Sequence, residues 1–396
     1  MRCRIQRYQV NLPGGQLLSR RQTILGTAGL WAAPHERARV PVIDVTDLYH
    51  PHQDIGDNVD LIAAYALPEV DLKAVILDAT AKFRRAVATS ASGKVVDKDG
   101  PRDPGVIPVM QLNYLFDRNV PYGIGPFEPL RSPNDKLLDA PEFQQSGVRL
   151  LLDVLGNSRE KVDIVSFGSA RPLAAAFNRE PRLLRAKIAR IHLCAGSTTP
   201  RYLEWNVELD PHAMVCLLRS DLQVAIYPCA SDKGPFGMDS HNCYWKLPDL
   251  AFVKRMDPRL QRYLCYAFKR SMRPDFLEIL DHDWPADAID RIAARAHHVW
   301  ETAVWIRVAN RRLVHRPGLG YRILPAGEVR SGDRVLPNEL KPCRISVRDN
   351  GLFTWEWSKG PSNFEIYDRG DFEENARALR EALPALYESF RCAAAR

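Results

Sequence analysis

The stretch that decides the fold runs from residue 40 to residue 80. It reads VPVIDVTD over residues 40–47, VDLIAAYAL over 59–67 and LKAVILDAT over 72–80. The first and third segments are nearly continuous aliphatic runs, which is the pattern of strands buried on both faces. The middle segment is typical of a helix. A helix between two such strands predicts a parallel pair.

The same alternation continues along the chain. Further strands are predicted at 162–170, 189–196 and 222–230, and a helix at 172–188. The turn-rich stretch 97–139 is expected to form long surface loops. Since no linker rich in Gly, Ser or Pro divides the chain, we predict an α/β fold. It is a single domain over residues 38–396, with an open, largely parallel sheet flanked by helices and a Rossmann-like core. In such sheets ligands bind at the carboxyl ends of the strands.

Composition excludes several classes of protein. The 396 residues are 45% hydrophobic and 26% charged, which is not the composition of a disordered, collagenous or small disulfide-stapled protein. We expect no membrane-embedded body, because no run approaches the roughly 18 to 20 uncharged apolar residues that span a bilayer. Five arginines and no acid lie in residues 1–34, so most of the net charge of +7 is concentrated there. Nucleic acid is therefore not an expected partner.

Residues 1–34 are predicted to be an export signal. Ser19-Arg-Arg-Gln-Thr-Ile-Leu25 opens a charge-free, mildly apolar run through Ala33, and this resembles a twin-arginine signal. The signal implies a periplasmic or extracellular protein. The alternative is an amphipathic N-terminal helix that packs on the domain.

Five carboxylates follow the first predicted strand within 17 residues, and this density indicates a site for a hard cation such as calcium. Helix capping explains one or two of them but not five. Asp57 and Asp60 are three residues apart and share one face of the first helical turn. The five residues are Asp44, Asp47, Asp54, Asp57 and Asp60.

Two other residue types suggest different metal chemistry. His50 and His52, followed by Asp54, form an H-x-H-x-D pattern that could bind zinc in a dinuclear hydrolase. Solvated loop histidines are the commoner outcome for such a pair. The eight cysteines are far apart and show no paired zinc-ribbon spacing, so buried thiols acting as small hydrophobes are expected.

A motif farther along the chain carries a family resemblance. Residues 204–213 read EWNVELDPHA, which looks like the E-F-N-x-x-x-D-P-x-A signature of the inosine-uridine-preferring nucleoside hydrolases. The other segments fall in that family's order: the acidic cluster, VDIVSFG at 162–168, IHLCAG at 191–196 and WETAV at 300–304, which resembles the family's H-D-P-x-A-V. The chain therefore resembles a divergent, exported member of the family.

The resemblance implies hydrolysis of the N-glycosidic bond of ribonucleosides with one calcium ion. By resemblance Glu204 and Asn206 bind ribose hydroxyls, and Asp57 is the base that activates water. Asp60 could take that role instead. The implied calcium ligands are a backbone carbonyl near Arg171 and the carboxylates of Asp47, Asp60 and Glu301, with Asp54 as a replacement for Asp47.

Departures from the family pattern favour an altered nucleobase or ribosyl substrate. Glu301 stands at the position of a ligand Asp, Trp300 at that of a His that helps the base leave, and Arg171 adds a cation expected beside the sugar or the metal. Two alternatives stay open: a degenerate protein that binds a ribosyl ligand without cleaving it, and a zinc hydrolase built on His50 and His52. A homo-oligomer is the family's common state.

Overall fold

Strands and helices alternate along the chain as the sequence predicts. The computed structural model describes residues 39–48, 56–80, 105–269 and 275–394. The predicted export signal, residues 1–34, lies outside the described residues, as do His50, His52 and Asp54.

Most of the strands form one sheet. The strands are β1 (Val40–Thr46), β2 (Val70–Leu77), β3 (Tyr122–Ile124), β4 (Val162–Ser166), β5 (Ile188–Leu193), β6 (Val224–Ile226), β7 (Trp245–Leu247), β8 (His297–Val299), β9 (Arg311–Arg316), β10 (Gly320–Pro325), β11 (Arg334–Val335), β12 (Glu339–Val347), β13 (Phe353–Trp357) and β14 (Phe364–Asp368).

The central sheet has nine strands in the order β13-β12-β14-β6-β5-β4-β1-β2-β3. The six strands from β6 to β3 pair in parallel, and β14 joins them in parallel, whereas β12 pairs antiparallel with β13 and β14. The order 3-2-1-4-5-6 is that of a Rossmann-like sheet. The fold class expected from the sequence is confirmed.

Helices cover both faces of this sheet. They are α1 (Gly56–Ala66), α2 (Val106–Leu115), α3 (Ser146–Asn157), α4 (Arg171–Arg179), α5 (Pro181–Lys187), α6 (Trp205–Leu209), α7 (Pro211–Leu218), α8 (Pro258–Lys269), α9 (Ala286–Ala293), α10 (Thr302–Val308) and α11 (Phe372–Ser389). Short 3₁₀ helices lie at Glu142–Gln145, Ala251–Arg255, Glu278–Leu280 and Ala326–Glu328.

Side-chain alternation along the strands builds a core on each face. On β1, Val42 belongs to the core shared with α1, α8, α10 and α11, whereas Ile43 and Val45 belong to the core shared with α3, α4, α5 and α7. All three side chains are fully buried, and each such burial contributes about 1.5–3 kcal/mol. Strands that are apolar on both faces can be stable only between two helical layers.

The turn-rich segment departs from its prediction. Within residues 97–139 the structure has α2 and β3, and Pro108, Val109 and Leu112 of α2 are buried. Prolines and glycines are frequent on both sides of this short apolar helix, and for that reason the sequence pattern predicted loops there. Among the described helices, none combines the length and the apolar character that a bilayer span requires.

A buried arginine joins the loops at the carboxyl edge of the sheet. Arg171 begins α4 with no exposed surface, and its Nε donates to Asp210 Oδ2 at 2.9 Å. The other guanidinium nitrogens donate to the backbone carbonyls of Ala79, Pro126, Phe127 and Leu209 at 2.8–3.1 Å. Asp210 also caps α7 by accepting from the Ala213 N–H at 3.0 Å. The expectation of an arginine beside the sugar or the metal is wrong, because this guanidinium is used entirely within the protein interior.

The Arg171–Asp210 pair gives a stability prediction. Replacing Arg171 with Met leaves the Asp210 carboxyl buried without its cation, and we expect the free energy of unfolding to fall by about 3–5 kcal/mol. Urea unfolding measures this change. The matched control is Arg185→Met, which breaks the exposed Arg185–Asp221 pair and should cost under about 1 kcal/mol. Equal losses in the two variants would contradict the structural role of Arg171.

Candidate active site

A pocket of about 240 Å³ lies at the carboxyl edge of the central sheet. Asp47 follows β1 and Phe167 follows β4, so the pocket sits where the strand order reverses, the usual ligand position in such sheets. Its lining residues are Asp47, Asp57, Phe167, Cys194, Tyr202, Glu204, Trp205, Asn206, Cys229, Pro235, Phe236, Trp300 and Glu301. The structure thus brings five of the sequence-predicted site residues to one pocket: Asp47, Asp57, Glu204, Asn206 and Glu301.

Asp47 and Asp57 form the acidic side of the pocket. Asp57 lies in the first turn of α1, where the helix dipole favours a negative charge, and its Oδ2 accepts from the Thr46 hydroxyl at 3.1 Å. Asp47 packs against Gly168, because a Cβ on Gly168 would lie 3.2 Å from Asp47 Cβ and 2.8 Å from an Asp78 oxygen. Because Gly168 has no side chain, Asp47 and Asp78 can pack directly against the backbone just after β4.

Asp60 lies deeper than the other predicted ligands. It is one turn farther along α1, is buried, and is not among the lining residues of the pocket. Its side chain hydrogen-bonds that of Glu301, and Glu301 Oε2 accepts from the Trp300 N–H at 3.0 Å. Burial raises the pKa of Glu301, while these hydrogen bonds oppose the rise. Asp60 thus lies behind Glu301, which contacts the pocket directly.

Two further buried carboxyls, Asp44 and Asp78, add to the acidity. Burial raises the pKa of Asp44 to about 8, with the charge of Glu301 adding to the effect, and Asp44 Oδ1 has no hydrogen-bond partner among the described residues. Burial raises the pKa of Asp78 to about 6, against the nearby Arg171 cation and the Ser169 hydroxyl, which donates to it at 2.9 Å. Sequence reasoning counted Asp44 in the acidic run and noted Asp78 as a departure from the family pattern after the second strand, but it gave neither residue a role. The signal for both is their position at the end of a strand.

Glu204 and Asn206 line the same pocket. Glu204 precedes α6, and its two oxygens accept from the N–H groups of Gly196 at 2.7 Å and Asn206 at 3.0 Å. The Asn206 side chain donates to the Cys194 carbonyl at 3.0 Å. Burial raises the pKa of Glu204 to about 7 although these N–H groups favour the ionised form. Gly196 is required here because its φ of 86° and a Phe353 ring atom 2.4 Å from any added Cβ leave no room for a side chain.

Aromatic rings form the remaining wall of the pocket. Trp300 contacts the rings of Tyr244 and Phe236 at centroid distances of 5.2 and 6.3 Å, and its Nε1 donates to the Cys229 carbonyl at 2.9 Å. Phe236 is 61% exposed, an unusual environment for a large apolar side chain at the rim of a polar pocket. Such rings can stack on a flat aromatic ligand.

The oxygen donors are of the type that a hard divalent cation prefers. Asp47, Asp57 and Glu301 line one pocket, and Asp44 has a buried oxygen with no hydrogen-bond partner among the described residues. In the described part of the chain, however, the one trio of potential ligand side chains whose donor atoms all lie within 4.8 Å of one another is made of cysteines. No three of the described carboxylates converge this closely, so a cation among them would take its remaining ligands from backbone carbonyls or water.

Comparison with known proteins supports the fold. No protein-family model and no curated protein matches the chain. Among solved structures, a plant nucleoside hydrolase, the PpNRh1 enzyme, is similar with a TM-score of 0.50 and 16% identity, over 87% of this chain and 99% of that one. At this identity the similarity shows that the chain has the nucleoside hydrolase fold, as the sequence motifs led us to expect.

Two bacterial structures are more distantly similar. The purine-preferring ribonucleoside hydrolase from Gardnerella vaginalis has a TM-score of 0.46 and 13% identity, over 88% of this chain and 99% of that one. The inosine-uridine preferring nucleoside hydrolase from Bacillus anthracis has a TM-score of 0.42 and 12% identity, over 87% of this chain and 100% of that one.

Gly168 provides a test of the packing at the acidic side. Gly168→Ala forces a methyl group against Asp47 and Asp78, and we expect a loss of about 1–3 kcal/mol in the free energy of unfolding. The matched control is Gly156→Ala in α3, where an added Cβ has nothing within 4 Å and a helical Ala should stabilise by up to about 1 kcal/mol. Thermal unfolding of both variants checks the sign, and a neutral Gly168→Ala would contradict the close packing.

Proposed function

We propose that the chain is a calcium-dependent hydrolase that cleaves the N-glycosidic bond of ribonucleosides to ribose and free base. The observation that carries the proposal is the pocket itself, in which Asp47, Asp57 and Glu301 share one cavity with Glu204 and Asn206. Several carboxylates together with a sugar-binding carboxylate and amide are the groups that this chemistry needs. The fold shared with a nucleoside hydrolase structure supports the same substrate class.

Calcium would be held by Asp47 and Glu301, with Asp60 and Asp54 as further candidate ligands. When bound, the ion supplies positive charge that orients water and ribose hydroxyls. Glu301 is one methylene longer than Asp, and its carboxyl reaches the pocket while keeping its hydrogen bond to Asp60. A cation beside the pair would favour the ionised form of Glu301.

Asp57 is the proposed general base. The Thr46 hydroxyl holds one of its oxygens, which fixes the orientation of the carboxylate towards the pocket. The base takes a proton from the attacking water as the oxygen approaches the anomeric carbon, which is also how carboxylates act in other glycosidic cleavages. In the transition state the ribose ring resembles an oxocarbenium ion, and ionised carboxylates that line the pocket would stabilise its positive charge.

Glu204 and Asn206 are the proposed ribose ligands. An ionised Glu204 accepts hydrogen bonds from ribose hydroxyls, and Asn206 can both donate and accept. The two backbone donors on Glu204 and the Cys194 carbonyl on Asn206 hold these side chains in place before the sugar binds. A nucleobase would extend towards the rings of Tyr202, Phe236 and Trp300.

The nucleobase must leave by a route that differs from the family pattern, because Trp300 stands where the resemblance predicts a His. An indole cannot deliver a proton at neutral pH, and its N–H is already bonded to the Cys229 carbonyl. Tyr202 also lines the pocket, and burial raises the pKa of its hydroxyl. It therefore keeps a proton that it can share with a leaving base by hydrogen bonding.

The second candidate function is binding of a ribosyl ligand without cleavage. Trp300 and the absence of a tight carboxylate trio among the described residues favour it. A zinc hydrolase built on His50 and His52 is a third candidate function. We also propose that the chain is exported through the signal at residues 1–34 and that it forms a homo-oligomer.

An assay of reducing sugar release tests the proposed reaction. We expect purine or pyrimidine ribonucleosides to be cleaved with calcium and not with a chelator, and Asp57→Asn to lower kcat by at least about a hundredfold, because general bases contribute on this scale. Asp153→Asn on the exposed side of α3 is the matched control and should retain activity. If folded, calcium-loaded protein binds nucleosides but cleaves none of them, the result contradicts hydrolysis and supports the binding function.

The raised pKa of Glu204 predicts how ligand binding depends on pH. With a pKa of about 7, Glu204 is mostly ionised at pH 8 and mostly protonated at pH 6, so nucleoside affinity should fall by up to about tenfold between these values. Equilibrium binding to the Asp57→Asn variant measures this without turnover. Adding Glu204→Gln should remove the pH dependence, and adding Glu208→Gln in α6, the helix that Glu204 precedes, should leave it unchanged. An unchanged profile in Glu204→Gln would exclude Glu204 as the titrating group.

A further inference from the structure

Three cysteine thiols meet beside the pocket. Cys194 Sγ lies 3.5 Å from Cys229 Sγ and 3.6 Å from Cys243 Sγ, and all three sulfur atoms lie within 4.8 Å of one another. Each side chain is at least nine-tenths buried. Their spacing in the sequence, 35 and 14 residues apart, gives no sign of this cluster.

The backbone holds the three residues in fixed positions. Cys194 follows β5, and its N–H donates to the Ser166 carbonyl at 2.9 Å. The N–H of Cys229, which follows β6, donates to the Gly196 carbonyl at 2.8 Å, and the N–H of Cys243 donates to the Pro228 carbonyl at 2.9 Å. These bonds continue the strand pairing beyond the sheet, so the sulfur atoms are brought together by the fold before any ligand binds.

The geometry of the cluster matches that of a zinc–thiolate site. Zinc–sulfur bonds of about 2.3 Å in a tetrahedral site place the sulfur atoms about 3.8 Å apart. The two observed contacts of 3.5 and 3.6 Å are within a few tenths of an ångström of that spacing. The three thiols converge on one point from three separate chain segments, as the ligands of a metal site do.

The Arg369 guanidinium lies near the cluster and acts on Cys243 through its positive charge. The Arg369 side chain is held behind the cluster by donating to the Asp239 and Tyr244 carbonyls and to Asn242 Oδ1. A bound zinc ion with three thiolates would carry a net charge of −1, which the Arg369 guanidinium offsets.

We propose that Cys194, Cys229 and Cys243 bind one zinc ion in the wall of the pocket. Each thiol releases its proton to solvent as its sulfur bonds to the metal. Cys194 and Cys229 also line the pocket, so the fourth coordination position faces it and is open to water or to a nitrogen or sulfur atom of a bound small molecule. This soft site is separate from the proposed calcium ligands and does not depend on the hydrolase proposal.

Metal analysis and cobalt substitution of the full chain, purified under reducing conditions, test the site. We expect one equivalent of zinc per chain, and with cobalt(II) the intense sulfur-to-cobalt charge-transfer absorption of thiolate coordination. Cys243→Ser should lose both, and Cys343→Ser, which removes a buried thiol outside the cluster, should keep both. If Cys243→Ser does not fold, the cobalt spectrum of the unaltered protein still decides, because oxygen and nitrogen ligands give only weak bands.

The rival zinc site provides a further control. The double variant His50→Ala/His52→Ala should retain the zinc and the charge-transfer band. Zinc lost in that variant and kept in Cys243→Ser would overturn the proposal. So would reduced, folded protein that binds neither zinc nor cobalt. Nucleoside cleavage is measured separately, so failure of the hydrolase and failure of the zinc site are distinguishable.

Discussion

The carboxyl edge of the sheet depends on one buried guanidinium. Arg171 donates hydrogen bonds to backbone carbonyls in the loop after β2, in the loop after β3 and where α6 joins α7. Without the guanidinium these buried carbonyls would lose a hydrogen-bond donor. A buried cation with a carboxylate partner and full hydrogen bonding is stable only as a complete set. The turn that presents it is strained, because Ala170 has a φ of 59°, which costs an L-residue about 1–2 kcal/mol. The pocket walls are thus set by an interaction that does not itself touch the pocket.

The electrostatic consequence is a cavity whose carboxyls are poorly solvated. Asp44, Asp78, Glu204 and Glu301 all have raised pKa values chiefly because burial disfavours their charged forms. Such a site gains more from a cation than an exposed acidic cluster does, since the charge it neutralises is otherwise costly. Around the same pocket, oxygen donors form one region and three sulfur donors form another. Hard and soft cations would therefore bind to different regions without competing.

The alternation of aliphatic runs determined the fold class, because strands that are apolar on both faces require two helical layers and a parallel connection. It also predicted a pocket at the carboxyl ends of the strands, and in the structure Glu204 and Asn206 of the motif at 204–213 line one pocket there with Asp47, Asp57 and Glu301. These inferences are local: each depends on a pattern within one segment of the chain.

Tertiary structure alone decided the contacts between distant segments. Arg171 is separated from Asp210 by 39 residues, and the cysteines are separated from one another by up to 49 residues. No pattern within one segment of the chain therefore predicts either contact. The depth of Asp60 behind Glu301 was decided in the same way, by how α1 packs against the residues before α10. Burial, and with it the pKa of each carboxyl, is a property of the assembled layers. The sequence therefore determined which groups reach this edge of the sheet, and only the packing decided which of them face the pocket, which are buried behind it, and which meet as a thiol cluster.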